Sequence, residues 1–203
     1  MGYYGRRIVP RIVNAACGSK QLQPLRARVC AGLSGEVVEI GFGSGLNVPH
    51  YPAAVTRVAA VEPADLGWKL AAKRLASATV PIERCGLDGQ SLPFADDTFD
   101  TALTTWTLCT IPDAVAALQE VRRVLKPGGS LHFLEHGLVP DPKVQRWQRR
   151  FDPIEKRVAG GCTFSRPIVD LLEQAGLRVT EVDRFYEKGP KFAGAMYLGH
   201  AAA

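Results

Sequence analysis

Val37-Val38-Glu39-Ile40-Gly41-Phe42-Gly43-Ser44-Gly45 is the stretch on which the fold turns. It opens as a short β-branched run and then breaks into glycines at every second position. That pattern predicts a buried strand delivered into a tight loop. A strand that ends in Gly-x-Gly-x-Gly and opens a helix brings backbone N–H groups close to a ligand. The plainer reading is a tight turn that packs strand on helix.

Downstream, the spacing predicts a helical stretch from Leu46 that ends before Pro52, then a second strand over 57–61 that stops at Glu62-Pro63. A helix over 65–77 follows, with Leu66, Leu70, Ala71 and Leu75 on one face. Residues 80–84 read as a third, peripheral strand, since Pro81 suits an edge. Residues 99–105 form a fourth. A helix over 113–125 is capped by Asp113 and stopped by Lys126-Pro127-Gly128-Gly129. Residues 130–135 make a fifth strand, 137–163 an irregular basic segment, and 166–175 a helix. Two further strands are expected over 177–185 and 193–199. Upstream, residues 6–30 suit one or two amphipathic helices, with Pro10 early in the first and Gly18 ending it.

Strands alternating with helices predict an α/β fold, a parallel sheet covered on both faces, with the last two strands antiparallel at one edge. At 203 residues the chain suits one domain, 1–203, with residues 1–35 as a helical cap and 137–164 as a basic insert or lid. Its 46% hydrophobic and 22% charged residues exclude a disordered chain. No apolar run reaches the roughly 20 residues of a membrane span. Residues 1–7 lack the apolar core of a secretory signal, so the cytoplasm is the expected compartment. The five cysteines are scattered, without a Cys-x-x-Cys pair, and no histidine sits at ligand spacing from one. Reduced thiols and no metal are expected. The net charge of +5 permits an anionic partner, but basic runs interleaved with aromatics are missing, which disfavours nucleic acid.

Glycine loops of this kind serve dinucleotides and S-adenosylmethionine alike. Leu46 stands where the dinucleotide fingerprint needs its last glycine, a poor register for pyrophosphate. Glu39 lies two residues before Gly41, where a carboxylate favours an ammonium group. Glu62 comes about 20 residues past the loop, the position that accepts from ribose hydroxyls. Asp88, in Leu87-Asp88-Gly89, follows the third strand and suits an adenine amino group; alone it reads equally as a turn aspartate. Three acids at three strand ends converge on the crevice where open α/β sheets bind ligands.

These residues, with Leu92-Pro93-Phe94, Asp97-Thr98-Phe99-Asp100 and the run from Glu120 to Gly129, resemble class I methyltransferases of the UbiE type. Gly43-Ser44-Gly45-Leu46-Asn47, Tyr51-Pro52, Leu108-Cys109, Glu135-His136 and Gly161-Cys162-Thr163-Phe164-Ser165-Arg166 are more similar still to the methyltransferase-like 7 family of thiol S-methyltransferases. The resemblance covers roughly residues 37–198. It implies a Rossmann-like sheet of seven strands, mostly parallel with the last one reversed, and helices on both faces. It also implies S-adenosylmethionine as donor and S-adenosylhomocysteine as product. Cofactor contacts are expected from Glu39, Gly41, Phe42, Gly43, Asn47, Glu62, Pro63, Leu87, Asp88, Gly89, Thr105 and Trp106. The mammalian members carry a hydrophobic N-terminal anchor that this sequence lacks, and small bacterial phospholipid N-methyltransferases look similar too.

Methyl transfer from a sulfonium is an in-line displacement that gains most from positioning and exclusion of water. A thiol of pKa near ~8.5 is already partly ionised in the cell, so no catalytic triad is required. His136, after the fifth strand, is the candidate base, and a structural hydrogen-bonder is its competing reading. Glu135 orients it or caps the next turn. Cys109 suits a small apolar wall, and Tyr4, His50, Tyr51 and Trp147 are further candidates to meet substrate. Val144, Trp147, Phe151, Ile154 and Val158 show helical spacing among Lys143, Arg146, Arg149, Arg150, Lys156 and Arg157, with Pro153 expected to kink or break the helix. That segment reads as a lid, as a peripheral contact with anionic membrane, or as an ordinary packed helix. The expected partner is a small-molecule methyl acceptor, a thiol ahead of a phospholipid or quinone-like lipid. A nicotinamide oxidoreductase and a non-catalytic S-adenosylmethionine-binding protein are the competing classes.

Overall fold

Seven strands form one sheet in the order β3-β2-β1-β4-β5-β7-β6 in a computed structural model that describes residues 7–86, 88–187 and 190–203. The strands are β1 (Gly35–Ile40), β2 (Val55–Val61), β3 (Ile82–Gly86), β4 (Phe99–Thr105), β5 (Leu125–His136), β6 (Arg178–Tyr186) and β7 (Ala195–Ala202). The helices are α1 (Val9–Cys17), α2 (Gln23–Cys30), α3 (Asp65–Ala76), α4 (Ala114–Val124), α5 (Pro142–Val158) and α6 (Ile168–Gln174). Strands β1 to β5 pair in parallel, as Val38 with Ala59 and Ala102 shows. Strand β7 runs antiparallel between β5 and β6, pairing Phe133 with Gly199.

The period of two along each strand divides the core into two layers. Val38, Ile40, Ala102, Leu131 and Phe133 face α4 and α6 through Leu118, Val121, Ile168 and Leu172. Val37, Val58, Leu103 and Leu134 face the other way, onto Val29 and Cys30 of α2 and Ala71 of α3. Helices therefore cover both faces, as alternating β and α patterns require.

Four local expectations are corrected. No α-helix follows the glycine loop; turns lead only to a 3-10 turn at Val48–His50. Positive φ at Gly41, Gly43 and Gly45 cannot enter a right-handed helix, and Asn47 is drawn into a buried network instead. Strand β3 lies two residues later than expected, and β5 starts at Leu125, absorbing Lys126-Pro127-Gly128-Gly129 through a register shift between Phe99 and Thr101. Within the basic segment, residues 142–158 form a continuous helix through Pro153. The proline removes the bond that the carbonyl of Arg149 would accept, and both residues lie on the exposed side of the helix. Among the described residues no helix is long and apolar enough to cross a membrane.

Candidate cofactor and acceptor site

The strand order reverses between β1 and β4, and the glycine loop leaves the carboxyl end of β1 beside that switch point. Gly41, Gly43 and Gly45 take φ of 76°, 58° and 71°, a left-handed region that costs other residues about 1–2 kcal/mol. Gly41 also needs its missing side chain, because a Cβ there would stand 2.2 Å from Oγ1 of Thr107. At Gly43 a Cβ would meet nothing closer than a backbone oxygen at 3.8 Å, so this residue faces open space. Glu62, at the end of β2, accepts from the backbone N–H of Gly43 and of Ala64, both at 2.6 Å. Burial raises its pKa against these two bonds.

Behind the loop lies a buried polar network that joins α2, β1 and β4. Asn47 donates to Glu39 (2.8 Å) and to Oγ1 of Thr105 (3.0 Å), and Tyr51 donates its hydroxyl to the other Glu39 oxygen. Arg26 donates to Asn47 (2.7 Å), to Thr105 (3.3 Å) and to the Cys17 carbonyl (3.0 Å), with its guanidinium 4.7 Å above the Trp106 ring. Burial pushes the Glu39 carboxyl up to about 7, while Tyr51, Asn47 and the charge of Arg26 pull it down. Trp106 sits at φ 50°, strained for a tryptophan and held where β4 meets the crevice. Arg26 is the residue that sequence reasoning missed here; its place in an amphipathic helix carried no sign that it would be buried.

The third group lies past the ends of β4 and β5. His136, which ends β5, has Nε2 3.0 Å from Sγ of Cys162. Cys109, four residues past β4, lies with both, their ligand atoms all within 4.8 Å of one another. Glu135, fully buried, accepts from the N–H of Thr107 at 3.0 Å and so holds the turn that carries Cys109. Burial drives the Glu135 carboxyl up to about 7. A hydrogen bond from Cys109, opposed by burial and reinforced by His136, lowers the Cys162 thiol. Burial alone would depress His136, yet the bond and charge of Cys162 raise it overall. The expectation of scattered thiols holds along the chain but not in space. Cys162 was quoted only as part of a motif; no spacing rule joins positions 109, 136 and 162.

The remaining candidates disperse. Asp88 is exposed and caps its own turn through the Gln90 N–H (2.9 Å). Gly89 lies against Ile40, where a Cβ would fall 2.9 Å from Cγ2. Pro63 is exposed and Phe42 is buried beside Trp68, their ring centroids 5.2 Å apart. His50 pairs with Gln23 (2.9 Å), and Tyr51 points into the buried network rather than outward. Tyr4 and Leu87 fall outside the described residues.

Trp147 points to solvent at 53% exposure, with Ile154 at 58% and Val158 at 48%. The buried residues of α5 are instead polar. Gln148 bonds Gly137, Phe164, Phe192 and Val139, and Asp152 receives Phe164 and Ser165. Of the apolar residues, Val144 and Phe151 are half-buried, the latter stacked on Phe192 at 4.8 Å, so the outward apolar surface is Trp147, Ile154 and Val158.

The fit to a cofactor follows from charge. Among the described residues, the buried ionisable groups nearest the loop are the carboxyls of Glu39, Glu62 and Glu135 against the single guanidinium of Arg26. Carboxyls at the ends of β1 and β2 give a sulfonium, an ammonium and ribose hydroxyls acidic neighbours, with Arg74 held back on the Ser44 carbonyl at 2.9 Å. These residues fit S-adenosylmethionine.

Comparison with known proteins agrees. Residues 38–133 match the methyltransferase domain family. Human thiol S-methyltransferase TMT1B is 35% identical over 161 residues, covering 75% of this chain and 65% of that protein. The mouse protein of the same name is 32% identical over 177 residues, 80% of this chain and 71% of that one. The chain thus spans a little under two-thirds of the human relative's length. An S-adenosylmethionine-dependent methyltransferase from Thermotoga maritima superposes with a TM-score of 0.67 at 24% identity, covering 98% of this chain and 99% of the other.

Proposed function

The chain belongs to the S-adenosylmethionine-dependent methyltransferase family, and from that premise we propose that it methylates a small-molecule thiol and releases S-adenosylhomocysteine. The observation that carries the thiol reading is the Cys109–His136–Cys162 cluster at the ends of β4 and β5, one strand from the glycine loop. It sets a His–Cys pair able to accept a thiol proton close to the donor. The similarity to thiol S-methyltransferases supports the same acceptor.

S-adenosylmethionine supplies a methyl group on a cationic sulfur when bound. In this reading Gly41, Phe42 and Gly43 lie along it, Glu62 accepts from its ribose, and Asp88 with Leu87 and Gly89 borders its adenine. Glu39 and Asn47, with Thr105 and Trp106, back its charged end, and Pro63 borders the ribose. The His136–Cys162 pair takes the proton of the acceptor thiol, shared across their 3.0 Å bond. The cytoplasm, where thiols stay reduced, suits this chemistry.

The exposed face of α5 favours one addition, a peripheral contact with anionic lipid. Its exposed Trp147, Ile154 and Val158 sit among Lys143, Arg146, Arg149, Arg150, Lys156 and Arg157. A lipid surface is also where an apolar thiol concentrates.

Labelled S-adenosylmethionine offered with alkanethiols, quinols and aminophospholipids tests the assignment. Methylated thiol is the expected product. Quinol or phospholipid methylation without thiol methylation would move the acceptor to the lipid class, and cofactor binding without any turnover would leave only a binding protein.

A further inference from the structure

Cys109, His136 and Cys162 come from three segments, the turn after β4, the end of β5 and the loop after α5. All three are at least nine-tenths buried. Their donor atoms gather within 4.8 Å. Two sulfurs and an imidazole nitrogen are a donor set of tetrahedral zinc sites that keep one position open. With bonds of about 2.3 Å to sulfur and 2.0–2.1 Å to nitrogen, donors in such a site stand roughly 3.5–3.8 Å apart. The 3.0 Å between His136 and Cys162 would open by about half an ångström, and the widest separation, up to 4.8 Å, would close by about 1 Å. Nε2 of His136, the ring nitrogen 3.0 Å from Cys162, is the one that would ligate, and Nδ1 is buried without a hydrogen-bond partner. Backbone geometry favours the arrangement too. Gly160 and Gly161, at φ 68° and 107°, turn the chain so that Cys162 comes back under β5, and Thr163 ties that turn to the Cys109 carbonyl at 3.3 Å.

We propose that Cys109, His136 and Cys162 bind one soft d10 cation, Zn2+, through three protein ligands and leave a fourth position open. On binding, both thiols lose their protons to solvent, and the two thiolates balance the charge of the ion. The fourth position takes an exogenous thiolate whose proton also leaves to solvent. That last assignment rests on the thiol reading above; the metal site itself does not. The loaded site then lowers the acceptor's pKa directly, and His136 serves it as a ligand.

The full chain, reduced and stripped with a chelator, is titrated with Co2+ and then Zn2+. One equivalent of Co2+ is expected to give near-ultraviolet thiolate charge transfer and the visible bands of a tetrahedral ion, both erased by Zn2+. Cys109→Ser and Cys162→Ser each reduce the charge-transfer band and weaken binding at least tenfold. Far-UV dichroism and S-adenosylmethionine affinity check that the variants fold. A folded, cofactor-binding wild type without the band, or a band unchanged in Cys162→Ser, overturns the site. Adding an alkanethiol to the Co2+ form should shift the visible bands; unshifted bands overturn the open-position assignment alone. Metal binding without any thiol methylation refutes the function reading and leaves the metal site standing.

Discussion

Gly41 and Gly43 are two residues apart in one loop, yet alanine should act on them in different ways. At Gly41 the new methyl falls 2.2 Å from Oγ1 of Thr107, whose N–H is bonded to buried Glu135. The left-handed φ costs about 1–2 kcal/mol, and loosening a charge-assisted bond a further ~1.5–3 kcal/mol. Gly41→Ala should therefore lose roughly 3–5 kcal/mol of stability, which for a chain of this size lowers Tm by roughly 6–20 °C. At Gly43 the same methyl enters open space, so only the backbone cost of about 1–2 kcal/mol remains. That space is the one proposed for the cofactor. Gly43→Ala should stay folded and lose at least tenfold in S-adenosylmethionine affinity, about 1.4 kcal/mol or more. Scanning calorimetry and titration calorimetry on both variants read the two effects. Unchanged cofactor affinity in Gly43→Ala would refute the reasoning, because no ligand would then approach that face of the loop.

Arg26→Met strips a buried network of its cation and should cost about 3–5 kcal/mol. Arg26→Lys should not restore it, since an ammonium cannot reach Asn47, Thr105 and Cys17 while stacking on Trp106; a wild-type Tm in Arg26→Lys would contradict this. The Glu39 carboxyl, raised to about 7 in the fold from an unfolded value near ~4.3, gives stability that is full below the unfolded pKa. That stability is lost as pH climbs through about 7, and Glu135 adds the same slope. Urea unfolding of Glu39→Gln between pH 5 and pH 8 should give a shallower decline than wild type; equal slopes would exclude Glu39 as a source. Replacing Trp147 and Ile154 with glutamate should cut sedimentation with anionic vesicles by roughly tenfold and change stability by no more than ~0.5 kcal/mol each, both being exposed. Equal sedimentation of wild type with neutral and anionic vesicles would remove the lipid proposal.

Much of the sheet was legible because hydrophobic period is a local signal. The limits of β4 follow directly from the run at 99–105, and Asp113 caps α4 as read, accepting from the Ala116 N–H at 2.9 Å. The errors fall where tertiary context overrode a local rule. Pro153 lies inside α5 where it and Arg149, whose carbonyl loses its bond, are both exposed residues. Lys126 to Gly129 joins β5 because its neighbour β4 offers a ladder that accepts a bulge.

The sequence by itself pointed to the donor. Glycines at 41, 43 and 45 and acids at 39 and 62 lie at strand ends that parallel strands bring to one edge, whereas Asp88 is exposed and caps its own turn. Only the tertiary structure assembled the group past the ends of β4 and β5. Cys109, His136 and Cys162 are separated by 27 and 26 positions, and no periodicity links them. They meet because Gln148 and Asp152 pin α5 and its following loop beneath β5. The same pinning leaves Trp147, Ile154 and Val158 of α5 outward, against what amphipathic spacing alone implies. Burial within a strand follows from neighbours in sequence, whereas the face a helix buries is chosen by hydrogen bonds to groups far away in the chain.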